Sequence, residues 1–541
     1  MPTLEWTGKK AVLNHHRQVP YHLLRCDERL SVGDPDSGNL LVQGDNLLAL
    51  KALLPYYAGL VKCIYIDPPY NTGNENWVYN DAVNSPEMRS WLGRVVGGEA
   101  EDLSRHSKWL CMMYPRLSLL KRFLSADGAI FISIDDNELA NLKLVSDEVF
   151  GPRSCVAILT WYKRVSPAND AKYFSSDHEY VVVYAKNKDQ WHPHRLPRST
   201  EQLKNYKNPD NDPRGPWNSA TYTCNKNDEE RPNLYHGITN PNTGEVIWPK
   251  KTAVWKYDAA AHEEHVRQEL VWWGKDGKAK MPRVKLFLDG VRDVVPRSVL
   301  SYADCGSTQE ARTELLQIIE EVPFTTPKPV RLIKRILQIA ANKDSLVLDS
   351  FAGSGTTGHA VLALNQADGG TRRFITVEMD ANICRKITAQ RISRAVQGYT
   401  RKNGNGESVQ VPPLGGGFRF CTLGSPLFDE QGNIAGEVKF DDLAAHVYFA
   451  ETGQPLPRRK NGKRSPLLGV CNGVAVYLLY NGILGDKRVN GGNVLTGPAL
   501  ASLPAHDGPK VIYGEGNRMG RDRLKREGIA FRQIPYEIKV G

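Results

Sequence analysis

Four consecutive residues, Asp67-Pro68-Pro69-Tyr70, carry the most distinctive chemistry in this sequence. The exocyclic amine of a nucleobase is a poor nucleophile, because its lone pair is delocalised into the ring. A carboxylate and a fixed backbone carbonyl, each accepting one N–H, can hold such an amine. They return electron density to nitrogen as it pyramidalises toward a methyl donor. Proline fixes φ and has no N–H, so the carbonyl of Pro68 is presented rigidly and Pro69 gives nothing to a strand ladder. Tyr70 offers an aromatic face for a base taken out of its stack, an extraction that costs a few kcal/mol. A strand closed by a plain Pro-Pro turn is the simpler reading, and a second pattern in the chain argues against it.

That pattern is Asp349-Ser350-Phe351-Ala352-Gly353-Ser354-Gly355-Thr356-Thr357-Gly358. It follows an apolar run and opens a helical one, and Gly353, Gly355 and Gly358 fit the glycine-rich strand–turn–helix fingerprint of nucleotide sites. Glu378 ends the next apolar run, at a spacing suited to a carboxylate on a ribose diol. A P-loop is excluded because no lysine follows the glycines. A dinucleotide would bring its pyrophosphate against Asp349. S-adenosylmethionine (AdoMet) has no phosphate; it has a ribose for Glu378 and a cationic end for Asp349. No metal is expected: His262-Glu263-Glu264-His265 is not a zinc-protease pattern, and His192 and His194 read as loop residues. The nine cysteines include no CxxC pair, and the odd, dispersed set reads as reduced thiols of a cytoplasmic protein.

Periodicity predicts the elements that must position these groups. Strands are expected over 40–42, 61–66, 129–134, 156–161, 180–184, 346–348 and 374–377. Helices are expected over 46–54, 107–124, 137–149, 330–341, 359–364 and 381–396. Such alternation predicts a parallel, helix-covered sheet. Residues 71–106 read as a long functional loop. From 191 to 325 the texture is irregular and holds Trp191, Trp217, Trp248, Trp255, Trp272 and Trp273. Lys204, Lys207, Arg214, Lys226, Arg231, Lys250, Lys251 and Lys256 are interleaved with them. The tryptophans singly suit a small core; the region as a whole equally suits a nucleic-acid surface. Gly415-Gly416-Gly417 marks a linker before a last unit. There, strands are expected over 510–514 and 529–534 around a basic helix over 518–526, and Arg458-Arg459-Lys460 with Lys463-Arg464 reads as a solvated loop.

In combination these stretches resemble amino-methylating DNA methyltransferases of the β arrangement, where the tetrad precedes the AdoMet turn. The resemblance is strongest to the Mod subunits of Type III restriction–modification systems. It is carried by Gln43-Gly44-Asp45-Asn46, by Tyr65-Ile66-Asp67-Pro68-Pro69-Tyr70-Asn71-Thr72-Gly73, by His106-Ser107-Lys108-Trp109 with Met113-Tyr114-Pro115-Arg116-Leu117, and by Phe131-Ile132-Ser133-Ile134-Asp135-Asp136-Asn137-Glu138. Ser176-Asp177-His178-Glu179-Tyr180, Thr326-Pro327-Lys328-Pro329 and the glycine turn complete it. Ser350 departs from the pattern, since relatives often have proline there. The resemblance implies a doubly wound α/β AdoMet-dependent sheet in two halves, 1–190 and 326–412. A target-recognition domain over 191–325 separates them, and an accessory domain over 413–541 follows. It implies that Asp67, Pro68, Pro69 and Tyr70 act on the base. Phe351, Gly353, Gly355 and Glu378 would hold AdoMet with Asp349 near its cationic end, while Asp45, Lys328 and Pro329 also line its pocket. Asp45 could equally cap a helix.

The expected activity is methylation of adenine N6 in duplex DNA. N4-cytosine methylation, a non-catalytic DNA-binding specificity subunit and RNA base methylation stand as alternatives. Duplex DNA is the expected partner, with a second protomer and a helicase–nuclease restriction subunit as further candidates. Composition agrees: 541 residues, 41% apolar, suit several domains, and 70 Lys+Arg against 60 Asp+Glu give a net charge of +10, suited to a polyanion. No apolar run reaches the ~18–20 residues of a membrane span, and the N-terminus has no signal-peptide pattern.

Overall fold

Val61–Ile66 forms a strand because its β-branched and aromatic residues favour one, and it ends there because Pro68 and Pro69 cannot donate to a ladder. The computed structural model describes residues 4–72, 93–94, 105–291, 293–319, 324, 326–402, 405–429, 431–457, 464–485 and 492–535. Most of the loop expected over 71–106, and the charge run from Arg458 to Lys463, lie outside the described residues. Two compact units are present: Met1–Pro193 with Arg297–Gly541, and His194–Pro296.

The larger unit is built on a ten-stranded sheet. Its strands are β1 (His22–Gly33), β2 (Leu40–Gln43), β3 (Val61–Ile66), β4 (Leu124–Ile134), β5 (Cys155–Tyr162), β6 (His178–Ala185), β7 (Val299–Leu300), β8 (Leu346–Asp349), β9 (Arg373–Glu378) and β10 (Gly417–Pro426). Their order is β1-β10-β2-β9-β8-β3-β4-β6-β5-β7. The run from β10 to β4 is parallel. The expected parallel sheet carries antiparallel strands at its flanks: β6 is antiparallel to both β4 and β5, and β1 to β10. Helix alternation stops after residue 150, so nothing carries the chain back across the sheet between β5 and β6.

The central strands are buried on both faces, as continuous apolar runs such as Cys63-Ile64-Tyr65-Ile66 require. Helices Asn46–Tyr57, Arg105–Phe123, Leu139–Phe150, Val330–Ala340 and Thr356–Asp368 accompany them. Val330–Ala340 buries Leu332, Ile333, Ile336, Leu337 and Ile339, a stripe at helical spacing, each side chain contributing about 1.5–3 kcal/mol. The helix expected over 381–396 is interrupted by a π-turn at Cys384–Thr388. That wider turn lets the Thr388 hydroxyl donate to the Gly353 carbonyl at 2.6 Å.

Beyond the glycine linker, β10 is an internal strand of this same sheet, between β1 and β2. Residues 417–426, expected within the accessory domain over 413–541, are thus part of the ten-stranded sheet. A helix, Phe440–Thr452, and a four-stranded sheet follow, with strands Leu467–Cys471, Val474–Leu478, Lys510–Gly514 and Ile529–Gln533. Cys26 of β1 faces Cys421 of β10 and is disulfide-bonded to it, which corrects the reading of all nine cysteines as reduced thiols. The partners are 395 residues apart, so no local spacing could reveal them. Among the described residues no helix is long and apolar enough to cross a membrane.

The smaller unit, His194–Pro296, holds a three-stranded antiparallel sheet of Val271–Trp272, Arg283–Phe287 and Trp217–Thr221. Its core is Tyr222, Ile238, Ile247, Trp255, Trp273 and Val284. The region expected as an insert over 191–325 is longer than this unit. Residues from Arg297 onward lie with the larger one, where β7 pairs with β5.

Candidate active site

In the parallel run, β3 and β8 are neighbours, with Ile64 opposite Leu348. Asp67 and Asp349 therefore stand at the carboxyl ends of adjacent strands although 282 positions separate them. Open α/β sheets place ligands at this edge. Glu378 ends β9 on the far side of β8, opposite Gln43 at the end of β2.

The tetrad is fastened from behind. Trp109 Nε1 donates to the Pro69 carbonyl at 2.7 Å. Asn71, fully buried at φ 60°, takes the left-handed conformation that asparagine tolerates. Its amide donates to Glu138 Oε1 and to the Arg105 carbonyl, and His106 Nδ1 lies 2.7 Å from the same Glu138 oxygen. Among the described residues no donor reaches the Pro68 carbonyl.

Asp67 does not stand alone. Lys328 Nζ donates to both of its oxygens at 2.8 Å and lies 4.8 Å from the Tyr70 ring centroid. The Tyr70 hydroxyl shares its one hydrogen between Asp67 Oδ1 at 2.9 Å and Glu179 Oε2 at 3.1 Å. Lys163 Nζ holds Glu179 Oε1 at 3.1 Å, and Lys328 Nζ is 3.5 Å from Oε2. Two carboxylates and two ammonium groups thus form one balanced cluster. Burial pushes the Asp67 carboxyl above its ordinary range, even against the Lys328 ammonium. Burial also acts on Glu179, but the ammoniums of Lys328 and Lys163 outweigh it and hold that carboxyl low. Glu179 reaches the site because β6 runs backwards: its first residues lie at the carboxyl edge of the parallel strands. A cavity of about 430 Å³ opens beside the cluster, lined by Trp161, Lys163, Glu179, Thr308, Thr326 and Lys328, among others.

The glycine turn is closed by the two acids predicted to face a ligand. Asp349 accepts from Phe351 N at 2.9 Å and from the Thr357 hydroxyl at 2.6 Å. Glu378 accepts from Gly353 N at 2.8 Å and from Asp380 N at 2.9 Å. Burial pushes each carboxyl up to about 7. Gly353 and Gly355 have φ of 50° and 78°, and a Cβ on Gly355 would meet the Thr388 carbonyl oxygen at 3.1 Å. Gly355 thus serves the close packing of the turn. Tyr65, Asp67, Phe324, Lys328, Asp349, Phe351, Gly353 and Thr357 are among the residues lining a small cavity of about 30 Å³ at this turn. The donor set suits AdoMet: each Glu378 oxygen keeps a lone pair for a ribose hydroxyl, and two carboxylates face the space a cation would fill. The volume is too small for a nucleoside. The Phe324 ring lies 3.1 Å from where a Gly353 Cβ would stand, and it must shift to admit one.

Phe351, Gly353, Asp349 and Asp67 thus meet around one space, with Glu378 directly behind the turn. Lys328 lines that space, but its ammonium is spent on Asp67. Pro329 instead caps the helix Val330–Ala340, and Asp45 caps Asn46–Tyr57 by accepting from Leu47 N and Leu48 N. Four residues given no role above prove to shape the site. Glu179 and Lys163 complete the charge cluster. Buried Asn46 donates to the Ser350 carbonyl at 3.2 Å, and Arg116, also buried, donates to the Asn46 side chain. Asn46 and Arg116 lie within matched motifs, but only tertiary contact discloses their use.

In the smaller unit, Trp217, Trp255 and Trp273 are core, whereas Trp248 is 54% exposed and packs against Tyr235. Lys204, Lys207, Arg214, Lys226, Arg231, Lys250, Lys251 and Lys256 are all exposed. His262 and His265 both lie 3.0 Å from the Tyr222 hydroxyl.

A family model for DNA methylases matches residues 61–390. The Mod subunit of the Type III restriction-modification enzyme StyLTI of Salmonella typhimurium is 39% identical over 66% of this chain and 54% of its own length. The EcoPI Mod subunit of Escherichia phage P1 is 35% identical over 74% of this chain and 67% of its own. The Type II methyltransferase M.KpnI of Klebsiella pneumoniae is 30% identical over 65% of this chain and 82% of its own. The chain therefore spans about half the length of the first of these relatives and two thirds of the second. The matched span opens on the first residue of β3 and closes beyond Glu378, so it encloses both the tetrad and the glycine turn: the chain belongs to the DNA methylase family.

Proposed function

We propose that this protein is a site-specific DNA methyltransferase that transfers a methyl group from AdoMet to N6 of adenine in duplex DNA. The observation that carries this reading is the placement of Asp67 and Asp349 at the ends of neighbouring parallel strands. An amine acceptor and a cation-binding turn then face one space. AdoMet supplies the electrophilic methyl group. The chain's own residues do the rest. Asp67 and the Pro68 carbonyl accept the two N–H groups of the target amine, and Tyr70 stacks on the extracted base. Glu378 takes the ribose, and Asp349 faces the cationic end. The cavity of about 430 Å³ lined by Lys163, Glu179 and Lys328 is roomy enough for a purine.

His194–Pro296, with its exposed basic residues and Trp248, reads the duplex. The relatives' names support a restriction subunit as partner, and a cytoplasmic setting suits a DNA-modifying enzyme. Nucleoside mass spectrometry of duplex DNA treated with protein and AdoMet tests the reading. N6-methyladenine is expected; N4-methylcytosine would change the base assignment, and no modified base would overturn the activity.

A further inference from the structure

The acceptor assigned to the target amine is already engaged. Lys328 Nζ sits 2.8 Å from both Asp67 oxygens, as near an imitation of a base amine as a side chain can offer. Asp67 Oδ1 already accepts from both Lys328 and Tyr70 and Oδ2 from Lys328, so a base N–H meets a crowded acceptor until Lys328 releases one of those oxygens. Its side chain is only 9% exposed, so the ammonium cannot retreat to water. Separating a buried charge from its partner costs several kcal/mol unless a second partner stands ready.

Glu179 is that second partner. Its Oε2 is 3.5 Å from Lys328 Nζ, so a movement of about 0.7 Å brings the pair to the 2.8 Å now seen at Asp67. Glu179 is itself fixed, at 11% side-chain exposure, by Lys163 and by the Tyr70 hydroxyl. That hydroxyl also touches Asp67, so it spans both ends of the exchange. The two carboxyls differ in the useful direction. Glu179 is held acidic and keeps its charge, while Asp67 is pushed toward neutrality and gives up its cation more readily.

We propose that Glu179 is a positioning residue that takes the Lys328 ammonium from Asp67 when the target base enters, freeing an Asp67 oxygen for the amine. This rests on the methyltransferase reading above. The exchange involves no bond breaking: one ammonium moves between two carboxylates, and the total charge of the cluster stays constant. The neutral base amine takes the place of Lys328 at one Asp67 oxygen as a hydrogen-bond donor, while the ammonium stays within the cluster between the two carboxylates.

The test compares methyl transfer from AdoMet to duplex DNA in four proteins: wild type, Glu179→Gln, Glu179→Asp and Glu179→Gln with Lys328→Met. Glu179→Gln should lose about tenfold or more in transfer rate while AdoMet affinity changes by about twofold or less. Adding Lys328→Met should restore about threefold or more of that loss, because no ammonium then competes for Asp67. Glu179→Asp, which keeps the charge, should lose less than Glu179→Gln. A purely structural role for Glu179 would not be rescued by removing the lysine. Thermal melts establish that each variant folds. Where the glutamine variant does not, Glu179→Asp with and without Lys328→Met reads the same coupling. Transfer at the wild-type rate by Glu179→Gln, or a double variant no faster than the single, overturns the exchange alone. A wild-type protein that methylates no duplex overturns the functional reading and the exchange with it.

Discussion

Replacing Asp67 by alanine should separate catalysis from folding. The substitution removes three charge-assisted hydrogen bonds, two from Lys328 at 2.8 Å and one from Tyr70 at 2.9 Å. Left alone, a buried ammonium would then cost about 3–5 kcal/mol. Lys328 is not left alone, since Glu179 stands 3.5 Å away and the Tyr70 hydroxyl keeps its bond to that same carboxylate. The stability loss should accordingly be only about 1–3 kcal/mol. The chemical step has no such substitute. Losing one fixed partner for charge that develops on the reacting group costs about 2.7–4 kcal/mol, or roughly 10²–10³ in rate. AdoMet affinity should move by about threefold or less, under 1 kcal/mol, because Glu378 and the glycine turn are untouched. Transfer of labelled methyl to duplex DNA gives the rate, calorimetry the affinity and a thermal melt the stability. A variant that methylates at near wild-type rate refutes the role of Asp67. An equal fall in affinity and rate would move Asp67 into the cofactor site.

Glu378→Ala should weaken AdoMet binding by about 1.5–3 kcal/mol, the range for hydrogen bonds to a charged group, and calorimetry showing unchanged affinity would remove Glu378 from the pocket. Burial raises this carboxyl from 4.5 to about 7 in the folded protein, so its contribution to stability is full below pH 4.5 and is lost as pH rises through about 7. At about 1.4 kcal/mol per pH decade that loss is roughly 3 kcal/mol, and Glu378→Gln should flatten the fall in melting temperature between about pH 5 and pH 8. An identical pH profile in the two proteins would contradict the assignment. Trp109→Phe strips the N–H from the Pro69 carbonyl and should cost about 1–3 kcal/mol of stability and more of kcat than of AdoMet affinity. In the smaller unit, Lys250→Ala or Lys251→Ala should weaken binding to all duplexes alike and lower the salt slope by about one, whereas a loss confined to one sequence would indicate base contact.

The chemistry was legible where it is local. Asp67 to Tyr70 and Asp349 to Gly358 are contiguous, and their proline and glycine content constrains the backbone directly. The central strands were legible because burial on both faces leaves unbroken apolar runs, as in Val61–Ile66. Glu179 was not, since its use depends on β6 running against β4, and strand direction leaves no mark in composition. Lys328 was placed in the right neighbourhood but not on Asp67, which lies 261 residues earlier. Asp45 was legible both as a helix cap and as a pocket residue, and the geometry displays the cap. The partnership of β1 with β10 was the least readable. The middle of β1 is exposed and polar, so it lacks the apolar signature of a sheet strand, and its partner lies beyond a glycine linker that reads as a boundary.

That partnership sets a timetable for synthesis. Among the described residues β1 pairs with β10 alone, and Cys26 must wait 395 residues for Cys421. At about 5–20 residues per second, the ribosome needs roughly 20–80 s to deliver the partner. Throughout that interval the nascent chain carries an unpaired edge on β2 and a tethered N-terminal segment with nowhere to dock. Contacts of such long range are slow to form and exposed to mispairing while they wait. Ribosome release at the glycine linker would produce a chain with the tetrad, the glycine turn and the smaller unit all present but with its sheet two strands short. Completion of the sheet thus waits for Gly417–Pro426, and a messenger truncated before it would yield an aggregation-prone product despite holding every residue assigned to the chemistry.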